Sequence, residues 1–174
     1  RAEMTDVSNS VLDGTDCTML SGETANGIDP ANACATMAAI AANAELGVNA
    51  LNRINFLRDS IPTPLGPLES ICSSCVRSQI ALKGVKTIVV LTDIIGPARY
   101  IAKYKPSVPV LVVTSNMAVA KQCHGWGALH AITCDAATSV TDRFNAAMSD
   151  AEKLGYVILN KRGTDQVVLF SSVE

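Results

Sequence analysis

The apolar positions of this chain recur with a helical period over its first third. Past residue 67 helical runs alternate with short continuous apolar runs. Met4, Val7 and Val11 keep helical spacing, and Gly14 stands where a C-terminal cap belongs. Asp16 to Leu20 is short, bounded by turn residues and without clean alternation, which predicts a strand covered on both faces. Asp29-Pro30 supplies an N-cap and a first-turn proline. From there Ala33, Met37, Ile40, Ala44, Val48, Leu51 and Ile54 step by three and four, with Gly47 as the expected break.

Ser60 to Pro67 (SIPTPLGP) stops the helix with prolines and a glycine. The remainder predicts helices over about 68–83, 97–105, 117–123 and 139–154. Strands are predicted at Val85 to Leu91, Pro109 to Thr114, His130 to Cys134 and Gln166 to Phe170. Strands rich in Val, Leu and Ile between helices of this length imply parallel βαβ units with right-handed crossovers. The expected architecture is a three-layer α/β domain with a mostly parallel sheet.

Composition narrows the function classes. Charge is near balance at −2, which gives no electrostatic reason to expect nucleic acid or an anionic membrane as partner. No apolar run approaches the roughly 20 residues of a bilayer span. The opening Arg1 and Glu3 do not resemble a signal peptide. The chain starts in mid-motif without Met and is read as a piece of a longer polypeptide. Cys72 and Cys75 form C-x-x-C, with Cys123-His124 and Cys134 downstream, which raises a zinc or disulfide reading. Cys72 and Cys75 instead fall on an apolar helical stripe with Leu68, Val76 and Leu82, and Cys34 on an Ala-rich helix. All are therefore expected to be buried thiols in a reducing compartment, with no metal.

The most specific segment is Asp6 to Ala25 (DVSNSVLDGTDCTMLSGETA). Arg1-Ala2-Glu3, Asp6-Val7, Asn9, Val11, Asp13-Gly14, Asp16 and Met19 to Ala25 reproduce a fixed pattern of the pyruvate kinases, and the chain resembles the C-terminal part of such an enzyme. The resemblance implies the end of a (β/α)8 barrel over 1–47. It also implies a C-terminal α/β domain of the family over 48–174, without that domain's final effector-loop region. It further implies phosphoryl transfer from phosphoenolpyruvate to ADP in glycolysis, Mg²⁺ and K⁺ for the whole enzyme, allosteric control, a cytoplasmic location and a homotetramer.

Ser21, Glu23 and Thr24 follow the expected strand on its carboxyl side, where barrel loops meet substrate. Spacing alone leaves two readings equal: site-lining groups, or a helix cap with a first-turn carboxylate. The resemblance favours the first, and places Arg1 and Glu3 in the loop beside the substrate phosphate. Asp6, Asn9, Asp13 and Asp16 read as capping and turn residues. Phosphoryl transfer also needs a bridging divalent metal and cationic groups on the moving phosphoryl. The family draws its catalytic Lys and metal ligands from earlier strands, so this segment alone is expected to be inactive and to bind no metal.

In the α/β domain the resemblance points to an effector loop at Thr92-Asp93-Ile94-Ile95-Gly96-Pro97-Ala98. Thr92 and Gly96 remain. Ile94 and Pro97 stand where hydroxyl residues are usual, Pro97 lacks an N–H, and Asp93 adds a charge that repels phosphate. Little or no binding of a sugar bisphosphate is expected there. Trp126-Gly127 reads as a packed turn, His124 and His130 as surface or strand-end residues, and Arg99, Lys103 and Lys105 as a solvated helix face. The alternative reading is a non-catalytic regulatory or assembly module. The retained motif from Arg1 to Ala25 argues against it.

Overall fold

Gly14 ends the first helix in the left-handed conformation, φ 91°, with its N–H on the Val11 carbonyl at 3.0 Å. In the computed structural model, which describes residues 3–158 and 165–172, the chain divides into two units, Arg1–Asn49 and Ala50–Glu174. The first holds α1 (Met4–Asp13), α2 (Gly22–Ala25) and α3 (Pro30–Glu45), with α1 and α2 both packed on α3. Asp29 caps α3 by accepting from the Asn32 N–H at 3.0 Å, ahead of Pro30. The helical run that begins there stops at Glu45, and Gly47 lies in the break before α4 (Ala50–Ser60).

Two expectations fail in this unit. Asp16 to Leu20 is not a strand. A strand needs a ladder, and among the described residues every paired strand lies in the other unit. Cys34 is exposed, since no residue of α3 is buried, and Cys17, between α1 and α2, is exposed too.

The second unit contains α4, α5 (Pro67–Ala81), β1 (Val85–Leu91), α6 (Ile95–Lys103), β2 (Val110–Thr114), α7 (Met117–Cys123), β3 (Leu129–Thr133), α8 (Val140–Lys153) and β4 (Gln166–Ser171). All strands run parallel in the order β3-β2-β1-β4. Alternate residues of β1 and β2 feed two cores. Ile88, Val90, Val110 and Val112 face α5, α6 and α7 with Cys72, Val76, Ile101 and Val119. Val89, Leu91, Leu111 and Val113 face the other side, where Ala147 and Ala151 of α8 close over them. Burial on both faces explains why β1 and β2 read as continuous apolar runs. The result is three layers, helix on sheet on helix.

Trp126 packs against the first of these cores, as expected of a packed turn. Lys103 is more than a solvated side chain. It forms an ion pair with Glu69 of α5, and Tyr104 donates to the same carboxylate.

Candidate functional site

Within the first unit, Ser21 precedes α2 and its carbonyl accepts from the Ala25 N–H at 3.0 Å and the Thr24 hydroxyl at 3.2 Å. Glu23 turns back, and its Oε2 accepts from the Ser21 N–H at 3.0 Å. Donation from its own backbone N–H and from that of Ser21 holds the Glu23 carboxyl below its ordinary value. Glu23 is therefore a carboxylate at neutral pH, an acceptor and not a proton donor.

A cleft of about 410 Å³ lies beside this turn, lined by Glu3 and Glu23 with apolar neighbours including Met4, Val7, Leu20 and Met37. The fold thus brings Glu3 and Glu23 to one cavity and joins Ser21 to Glu23 through the backbone. Arg1 lies outside the described residues. Glu23 thus accepts from the Ser21 N–H and borders the cleft. Among the described residues no three or more His, Cys, Asp or Glu side chains come together as a group that could hold a metal ion.

Within the second unit, the chain reverses direction across the sheet between β1 and β4, and ligands of open parallel sheets favour the strand ends at such a point. The groups there are already engaged. Thr92 is fully buried, its hydroxyl donates to the Ile94 carbonyl at 2.9 Å, and it receives the Ser172 hydroxyl at 2.9 Å. Gly96 sits in the first turn of α6, where an added Cβ would meet Leu68 at 3.6 Å. Pro97 is buried, and its carbonyl lies 3.7 Å from the Cys72 thiol.

Asp93 corrects the sequence reading. Its charge does not stand alone: Oδ2 accepts from Arg143 Nη1 at 3.0 Å. Oδ1 accepts from the Ser115 N–H at 2.6 Å, the Ser115 hydroxyl at 2.9 Å and the Thr114 hydroxyl at 3.1 Å. Burial pushes the Asp93 carboxyl up, and these donors together outweigh it, so the group is held below its ordinary value. Sequence reasoning missed Arg143. The signal was present, because Arg143, Ala147 and Ala151 share one buried stripe of α8 and a charge on such a stripe needs a partner.

Comparison with known proteins decides the family. The family model described as pyruvate kinase, alpha/beta domain, matches residues 69–174. That for the pyruvate kinase barrel domain matches residues 1–34. The chain belongs to the pyruvate kinase family. The Kluyveromyces lactis pyruvate kinase is 35% identical over 164 residues, which are 91% of this chain and 32% of that protein. The cytosolic isozyme of Glycine max is 49% identical over 113 residues, 65% of this chain and 22% of the relative. A crystal structure of Cryptosporidium parvum pyruvate kinase superposes with a TM-score of 0.91 at 31% identity, covering 99% of this chain and 35% of that one. The chain thus spans about a third of the pyruvate kinases it resembles. It pairs a barrel fragment with the family's α/β domain.

Proposed function

We propose that this chain is the C-terminal part of a pyruvate kinase that transfers the phosphoryl group of phosphoenolpyruvate to ADP, acting as a cytoplasmic homotetramer. The observation that carries this reading is the Ser21-Gly22-Glu23 turn, whose ionised carboxylate opens onto the same cleft as Glu3. Glu23 accepts hydrogen bonds and orders the water and donors that meet the substrate, and Ser21 sets the turn that aims it. Mg²⁺ and K⁺ would be held by residues outside this chain, and so would the cationic group on the moving phosphoryl. These 174 residues alone would therefore not turn over. The Thr92 loop would take no sugar bisphosphate, because its hydroxyl is spent on Ile94 and Ser172.

The test is a turnover assay of the intact gene product with phosphoenolpyruvate, ADP, Mg²⁺ and K⁺, beside the 174-residue chain. Turnover is expected of the first and none of the second. Glu23→Gln in the intact product is expected to lower kcat about tenfold or more, the equivalent of ~1.4 kcal/mol of transition-state stabilisation. Full activity of Glu23→Gln at unchanged Tm would remove the site role. An intact product inert toward both substrates would remove the kinase reading.

A further inference from the structure

The carboxylate of Asp93 is surrounded as a bound anion would be. Four donors converge on its two oxygens: the Ser115 N–H, the Ser115 and Thr114 hydroxyls, and the Arg143 guanidinium. Thr114 is fully buried and Arg143 only 4% exposed, so two of these groups are withdrawn from solvent. Arg143 is fixed from behind, since its Nε donates to the Thr138 carbonyl at 3.2 Å and its Nη2 to the Ala136 carbonyl at 3.4 Å. The cradle thus draws on the end of β2, the loop before α8 and the first turns of α8, at the carboxyl ends of the strands. Backbone N–H, hydroxyls and a planar guanidinium are the donor set that receives an oxyanion.

We infer that Asp93 is a built-in anion: this chain fills its own oxyanion cradle with a side chain from the loop after β1, and so fixes that loop without a ligand. The Asp93 carbonyl adds a further tie by accepting from Asn116 Nδ2 at 3.3 Å. A small external oxyanion would have to displace a carboxylate tethered by its own backbone, whose effective concentration exceeds that of any free ion. The cradle is therefore closed to inorganic phosphate in the native chain and opens when the carboxylate is deleted. This inference deepens the reading that the Thr92 loop takes no bisphosphate, yet it stands apart from the kinase assignment, because it is read by binding and not by turnover.

The test compares native protein with Asp93→Ala, both as the full chain, titrated with inorganic phosphate against chloride at matched ionic strength. Tm and isothermal calorimetry are the readouts. The native protein is expected to show no saturable response. Asp93→Ala is expected to bind with a millimolar Kd and a Tm that rises with phosphate, and Asp93→Ala/Arg143→Gln is expected to lose at least tenfold of that affinity. If Asp93→Ala does not fold in chloride, refolding yield in phosphate becomes the readout. Recovery supports the inference, and equal failure in both salts overturns it. Saturable binding by the native protein equal to that of Asp93→Ala would overturn it too, as would a folded Asp93→Ala that binds nothing.

Discussion

The hydroxyl of Ser172 donates to Thr92 Oγ1 over 2.9 Å, joining residues 80 positions apart in sequence. The Ser172 N–H reinforces this tie by donating to the Leu91 carbonyl at 2.9 Å. A group that the family resemblance offers as a ligand donor is thus a seam between the ends of β1 and β4. Thr92→Ala is expected to cost about 1 kcal/mol in urea unfolding, the net worth of a buried hydrogen bond, with an unchanged m-value. Calorimetry with fructose bisphosphate is expected to register no binding to native protein or variant. Micromolar binding to the native protein that Thr92→Ala abolishes would contradict the seam.

The Asp93–Arg143 pair fixes a direction for pH dependence. The carboxyl is held below its ordinary value of 3.8, so its folded form binds a proton less readily than the unfolded chain. Its contribution to stability is complete above that ordinary value and drains away as pH falls through the lower folded one. Native protein is expected to be more stable than Asp93→Asn at pH 7, and the difference is expected to vanish in acid. Arg143→Leu removes the same pair from the other side. It is expected to cost about 2 kcal/mol, below the usual cost of breaking a fully buried pair because the Asp93 side chain is 35% exposed. Chemical denaturation across pH 3–7 measures both.

Legibility from sequence followed the number of constraints on each segment. The runs at Val85 to Leu91 and Met117 to Cys123 became the observed elements residue for residue, since both are bounded by turn chemistry and sealed on their apolar faces. Asp16 to Leu20 was read as a strand, but a strand is a property of neighbours, and among the described residues no strand pairs with it. Cys34 failed for a different reason: the half-buried positions of α3 include Ala33, Met37, Ile40 and Ala44, and Cys34 lies off that stripe. The Ser21–Glu23 turn is local, its hydrogen bond spanning two residues. The Asp93–Arg143 link is not: it spans 50 positions, and only the buried stripe of α8 hints at it.

Thiol chemistry separates the two units. Burial pushes the Cys72 thiol up to about 12, helped by the nearby Cys75 and Glu69, and the Cys75 thiol up to about 11. Cys123, also buried, is shifted upward by the same desolvation. Thiolates are the reactive form, so these three are expected to resist a disulfide reagent in native protein at pH 8. Exposed Cys17 and Cys34 are expected to react within minutes in the 174-residue chain. Mass spectrometry of labelled peptides before and after denaturation checks the assignment. Rapid native labelling of Cys72 would contradict the packing of α5 against α6.

The turn that presents Glu23 rests on a close approach at Gly27. A Cβ built there would press on the Glu23 carbonyl, lying 2.8 Å from its carbon, and both contacting groups are backbone that cannot swing aside. At Gly22, one residue before Glu23, a Cβ would meet nothing within 4 Å. The two glycines therefore predict opposite outcomes for the same substitution. Gly22→Ala is expected to leave stability unchanged or raise it by up to about 1 kcal/mol, because it trims the freedom of the unfolded chain. Gly27→Ala is expected to cost about 2 kcal/mol by forcing the segment after α2 away from Glu23. The distortion has its own reporter. The bond from the Ser21 N–H helps to hold the Glu23 carboxyl below 4.5, so a displaced turn lets that value climb back. An NMR titration of Glu23 is expected to show this upward return in Gly27→Ala and not in Gly22→Ala. Identical titrations in the two variants would mean that the close approach at Gly27 does not shape the carboxylate's surroundings.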